Sequence, residues 1–311
     1  MVSISLDVTW RRGLIYSVRV ALCGFLVAGG LQVSASQVTP SHVFQLSEQL
    51  LSDIELIRHA QGIYSQAKEP EVQIDKVPLQ VYVKSLEVRT KVIYLQRKFS
   101  QQPLAVKEVP LRALHSQDVF NSVTSLLEAL QPIKAKLKIE NSAQAPYVAG
   151  KTPANVYENL WQASYSLDEL VGSISPNLVY RNMLYALEDT KMLAASLNVT
   201  LNDQVPPVTE NVKPIAPNIE GYKNLYRLAR IERKLSLPAV GVRPFPSGEI
   251  SPSDVFDTTN NILAELARLK VARAVTEPHG ALALPSGKRP ADVLEKMRLL
   301  GRYLDSIAQR I

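Results

Sequence analysis

Ser251-Pro252-Ser253-Asp254-Val255-Phe256 reads as a helix start. Serine suits the N-cap, where its hydroxyl accepts a bond from an orphan backbone N–H. Proline suits the first helical position, where its missing N–H costs nothing. Asp254, at the third helical position, complements the positive end of the helix dipole. Ile250 precedes the cap and is placed to staple onto Val255 one turn in.

The same stretch recurs along the chain. Strong copies are Thr39-Pro40-Ser41-His42-Val43-Phe44, Thr152-Pro153-Ala154-Asn155-Val156-Tyr157 and Ser175-Pro176-Asn177-Leu178-Val179-Tyr180. Weaker copies begin at Val77, His115 and Arg289, and a degenerate one surrounds Gly221-Tyr222. The motif valines fall at positions 43, 81, 119, 156, 179, 255 and 293. Behind each valine the apolar residues keep a helical period, as in Val119, Val123, Leu126, Leu130 and Ile133, or Val293, Met297, Leu300, Leu304 and Ile307. A strand cannot produce that spacing.

The spacing predicts an all-α chain of eight long helices from a repeat of about 38 residues. Moving the first four anchors by about 136 to 140 residues lands them on the last four, so the repeat is expected as two duplicated four-helix halves. The expected division is residues 1–35 as a signal peptide, 36–172 as one half and 173–311 as the other. The short link around Gly172-Ser173-Ile174 makes the fourth and fifth helices antiparallel. The other connectors are long and proline-rich, with Pro206, Pro207 and Pro214 in one and Pro238, Pro244 and Pro246 in another. An extended connector reaches ~3.3 Å per residue. Helices within a half can therefore run parallel, with connectors returning along them, or alternate up and down.

The leading segment is expected to export the chain. Arg11, Arg12 and Arg19 precede an apolar run at residues 20–31, followed by Ser34-Ala35, and cleavage is expected after Ala35. The run is shorter than the ~20 residues that span a bilayer, so no membrane span is expected after cleavage. Cys23, the only cysteine, leaves with the segment, and the formal charge falls from +6 to +4. Disulfide, thiolate and Cys-metal chemistry are thereby excluded from the mature chain, and the charge is too mild for a nucleic-acid binder.

Chemistry is sparse. His42, His59, His115 and His279 form no close sequence pair, no Gly-x-Ser-x-Gly elbow occurs, and Gly287-Lys288-Arg289 lacks the spacing and hydroxyl of a phosphate loop. No metal or other cofactor is expected. Lys223, Arg227, Arg230 and Lys234 make the sixth helix basic and are the candidate site for an anionic partner. Thr39, Thr152, Ser175 and Ser251 are assigned as structural helix caps. The functional expectation is an exported, periplasmic or extracellular, non-enzymatic binding or scaffold module for a protein or envelope component. The alternative is a periplasmic protein that binds a small ligand between the two halves.

Overall fold

The computed structural model describes residues 37–140, 144–204, 212–238 and 241–311. The expected signal peptide, and the part of one connector that holds Pro206 and Pro207, lie outside the described residues. Among the described residues the chain is all-helical, without strands. Its helices are α1 (Pro40–Ala60), α2 (Pro78–Lys98), α3 (Ser116–Lys136), α4 (Pro153–Val171), α5 (Pro176–Ser196), α6 (Ile215–Lys234), α7 (Pro252–Ala272) and α8 (Pro290–Arg310). None is long and apolar enough to cross a membrane.

The helix starts use the third position more consistently than the cap hydroxyl. The cap N–H donates to the third side chain in α1 (His42 Nδ1, 3.2 Å), α3 (Asp118, 2.9 Å), α4 (Asn155, 3.1 Å), α7 (Asp254, 2.8 Å) and α8 (Asp292, 2.7 Å). Gln80 receives the same bond at α2, at 3.3 Å. Thr152, Ser175 and Ser251 accept from a backbone N–H of the first turn at 3.2 to 3.5 Å. Thr39 stands at its cap position but differs, since its hydroxyl lies 2.9 Å from the His42 ring, which reaches back and takes it. The degenerate start at Gly221 has a steric cause. A Cβ there would sit 2.5 Å from Thr258 of α7, so close approach of the two helices replaces the usual valine.

Helix ends repeat as well. Ser100, Lys138, Asn198, Ser236 and Ala274 take positive φ of 53° to 56° just beyond their helices. The following N–H then bonds back five residues, as Val275 does to Lys270 at 2.9 Å. This is the Schellman closure, here built mostly without glycine.

Helices α1 and α2 each pack on α3 and α4 and not on one another; α5 and α6 do the same with α7 and α8. The first and second helices of each four-helix bundle therefore sit at opposite corners, as do the third and fourth. All four starts of a bundle lie together. Pro40, Val43, Pro78, Val81, Val119, Pro153 and Val156 surround one small apolar pocket, and Pro176, Val179, Pro217, Pro252, Val255, Pro290 and Val293 surround its counterpart. Each bundle is consequently all-parallel, with connectors running back along its length.

Parallel helices expose four sets of terminal carbonyls at one end, and neighbouring lysines take some of them. Lys98 of α2 donates to Leu170 O at 2.7 Å, Lys136 of α3 to Phe99 O at 2.8 Å, and Lys234 of α6 to Ala308 O at 2.6 Å. Other contacts recur between bundles at the duplication offset. Lys134–Asp53 at 2.7 Å matches Lys270–Asp189 at 2.5 Å. Lys151 over Phe44 matches Lys288 over Tyr180, at 4.2 and 4.5 Å.

The bundles meet along α2 and α7, which run antiparallel: Gln80 bonds Glu265 near one end and Lys91 bonds Ser253 near the other. Helices α4 and α5 accordingly point in opposite directions, as the short link requires, yet share no packed face.

Candidate ligand-binding site

Two helices are covered on nearly every side, and the covering side is polar. In α7 the run Asp257-Thr258-Thr259-Asn260-Asn261 is wholly buried. Short polar residues are poor interior helix formers because they compete for backbone bonds. Here tertiary bonds hold them. Asp257 pairs with both Lys84 and Arg243 and accepts from Tyr157 Oη at 2.9 Å. Asn261 donates to Tyr157 Oη at 2.8 Å, and Arg243 donates to Thr258 Oγ1 at 2.9 Å. Arg243 comes from the α6–α7 connector and lies over Trp161, 4.4 Å from the ring centroid.

The network continues along α2. Glu87 accepts from Ser164 at 2.5 Å, Lys84 at 3.0 Å and Asn260 at 3.1 Å. Lys91 pairs with Asp168 at 2.6 Å. Tyr165 donates to Asp254 at 2.6 Å, and Lys68 covers the same carboxylate at 3.1 Å. Burial alone would push the Asp257 carboxyl upward, but Arg243 and Lys84 outweigh it and hold it below the usual carboxylate range. Burial raises Tyr157, Tyr165 and Tyr222. Lys76 is pushed down to about 8, first by burial and then by Arg243. Apart from the Arg243 Nε, which is buried without a hydrogen-bond partner among the described residues, these groups largely pair with one another, so the middle of the seam is a docking surface between bundles.

A cleft opens beside that filled centre, where α2, α5, α7 and two connectors converge. It is open to solvent on one side and has a cavity volume of about 120 Å³. Val83, Leu86, Val109, Phe256 and Leu263 supply an apolar wall, while Arg181, Tyr185 and His279 supply a polar one. His279 stacks on Tyr185 with centroids 4.1 Å apart, and Leu282 N donates to Tyr185 Oη at 3.2 Å. The Nε of Arg181 is buried without a hydrogen-bond partner among the described residues. Neither wall was assigned from sequence. Their residues belong to five separate segments, and only the unusual polar run in α7 marks that side of the chain as covered.

The basic residues of α6 occupy a different surface and are largely engaged. Arg227 pairs with Glu220 at 3.2 Å and with Asp305 at 3.1 Å; Arg230 also pairs with Asp305, at 3.0 Å. Lys223 pairs with Glu220 at 3.1 Å, and Lys234 takes the α8 carbonyl already described. Lys223 and Arg230 remain more than half exposed, at 58% and 52%. They share the outer face of α6 with exposed Ile215, Ile219 and Tyr226. No group of three or more His, Cys, Asp or Glu suited to a metal ion occurs among the described residues.

Comparisons with protein-family models, with characterised proteins and with solved structures find no match to this chain.

Proposed function

We propose that this chain is an exported, non-enzymatic binding protein that holds a small ligand in the cleft between its two bundles. The observation that carries the reading is the cleft itself. It lies where duplicated units meet, it joins an apolar wall to a few polar groups, and its arginine has an unsatisfied buried nitrogen. That combination is the usual make-up of a small-molecule site. Binding is favoured over turnover because the seam carboxylates, buried Glu87 and Asp257 and partly buried Asp168, are each held by lysine or arginine. Export rests on the leading basic-apolar segment.

Val106 stands at the cleft mouth and is 72% exposed, so a larger side chain there fills the cleft without disturbing the core. Native mass spectrometry of chain purified from its own cells is expected to show a small-molecule adduct that Val106→Trp loses. An adduct kept at full occupancy by Val106→Trp, or a chain that carries none and gains no thermal stability from any member of a metabolite library, refutes the reading.

A second reading, docking of a macromolecule, is favoured by the outer face of α6, where Ile215, Ile219 and Tyr226 lie beside Lys223 and Arg230. Such a mixed apolar and basic stripe suits an acidic amphipathic partner.

A further inference from the structure

We propose that the ligand of the cleft is a small carboxylate with an apolar body, held by Arg181; this rests on the cleft being the binding site. The duplication shows what is unusual at this position. In the first bundle, α1 clamps its connector with two glutamines: Gln49 accepts from Ala145 N at 2.9 Å, and Gln45 donates to Ala145 O at 2.7 Å. In the second bundle α5 keeps one half of that clamp, because Tyr185 accepts from Leu282 N at 3.2 Å. The position of Gln45 is taken by Arg181, which makes neither a connector bond nor an ion pair among the described residues and lines the cleft instead.

The polar wall is rich in donors. Arg181 offers its guanidinium fork, and Tyr185, whose oxygen already accepts from Leu282, retains its hydroxyl proton for a ligand. The buried carboxylates on this side are committed: Glu87 to three donors, and Asp189 to Lys270 at 2.5 Å. Glu108 also lines the cleft, but it is exposed beside Lys107 in the connector, whereas a ligand carboxylate meets a half-buried arginine whose planar fork matches it. The rest of the ligand would lie against Val83, Leu86, Phe256 and Leu263. Those side chains offer contact area and no hydrogen bond, so an apolar body fits there.

The test is isothermal titration of the mature chain with straight-chain carboxylates from butanoate to decanoate, and with the matching primary amides. Carboxylates are expected to bind roughly 10- to 100-fold more tightly than their amides, the range for a charge-assisted bond of this kind. Arg181→Met should abolish that preference, Arg181→Lys should keep part of it, and Val106→Trp should weaken both series. Equal binding of acids and amides, unchanged preference in Arg181→Met, or no binding of any carboxylate overturns the proposal. Amides that bind and are still blocked by Val106→Trp would overturn the carboxylate alone and leave the cleft standing. Carboxylates that bind wild type and Val106→Trp equally would overturn both.

Discussion

Lys76 makes the polar seam testable by pH alone. The lysine sits beside Arg243 in the seam, 93% removed from solvent, with its ammonium 4.8 Å from the Tyr157 ring centroid. Burial is the chief reason that its pKa falls from 10.5 to about 8; Arg243 and Lys84 lower it further, and Asp257 and Glu265 partly oppose them. Below pH 8 both the folded and the unfolded chain carry the proton, and the folded state bears the full cost of the buried charge. Between pH 8 and 10.5 the folded chain releases the proton while the unfolded chain keeps it, so stability rises with pH. The shift corresponds to about 3 kcal/mol in total, at 1.36 kcal/mol per unit. Tyrosines set the upper limit of the window. Tyr157, Tyr165 and Tyr222 are all raised by burial. Above about pH 10 the unfolded chain loses phenolic protons that the folded chain keeps, and stability falls again. Urea denaturation of wild type and Lys76→Met at half-unit steps from pH 7 to 10 isolates the lysine. The wild-type curve is expected to climb by about 2–3 kcal/mol relative to the variant, and Lys76→Met to be the more stable at pH 7. Parallel curves for the two proteins would refute the assignment of Lys76 as a buried, desolvated cation.

Two further measurements probe the seam and the helix ends. Asp257→Asn leaves Lys84 and Arg243 buried without their shared carboxylate and should cost about 3–5 kcal/mol by urea denaturation; a loss under about 1 kcal/mol would show that the cations find water or another partner. Because the Asp257 carboxyl is held below its ordinary value, its stabilisation should also fade as pH falls below 3.8, less steeply in Asp257→Asn. Ala274→Gly relieves a positive φ of 53° and should raise stability by about 1 kcal/mol, whereas an unchanged denaturation midpoint would mean that the turn is not strained by its Cβ.

Much of this architecture is local and therefore legible in the residues. A cap, a third-position carboxylate and an apolar stripe act within one helix, and the eight helices begin within a few residues of where the repeated motif places them. Helix direction is not local. The same capping chemistry serves a helix pointing either way, and a connector long enough to return along a ~30 Å helix is also long enough to cross between ends. The polar faces were the harder matter. Glu87 and Lys91 of α2, and Asp257 and Asn260 of α7, fall off the apolar stripe and read as solvated, yet all are buried. The basic stripe of α6 reads as available for a partner. Its charges turn out to be balanced by Glu220 and Asp305, from its own helix and from α8. Arg181 and His279 carried no motif at all, since the cleft forms only when two connectors and three helices come together.

The asymmetry of the seam explains why only one copy of the duplicated unit has a cleft arginine. Each parallel bundle gathers four helix N-termini at one end and four C-termini at the other, roughly two positive and two negative elementary charges. Stacking the bundles antiparallel sets opposite ends side by side, and interlocking lysines and carboxylates fix the register. The contact uses the second helix of one copy and the third helix of the other, so it is not a two-fold pairing. Their counterparts α6 and α3 are left with outer faces open to solvent, such as Tyr226 at 60% exposure. Contacts needed by any parallel bundle, Lys134–Asp53 and Lys270–Asp189 among them, stay the same in both copies. Positions beside the seam diverge, because only one copy meets the seam there. Gln45 stays bonded to its own connector, whereas Arg181 is released into the cleft between bundles. A functional group in this fold is thus best sought where the second copy departs from the first next to α2 and α7, and Arg181 is such a departure with an unsatisfied donor.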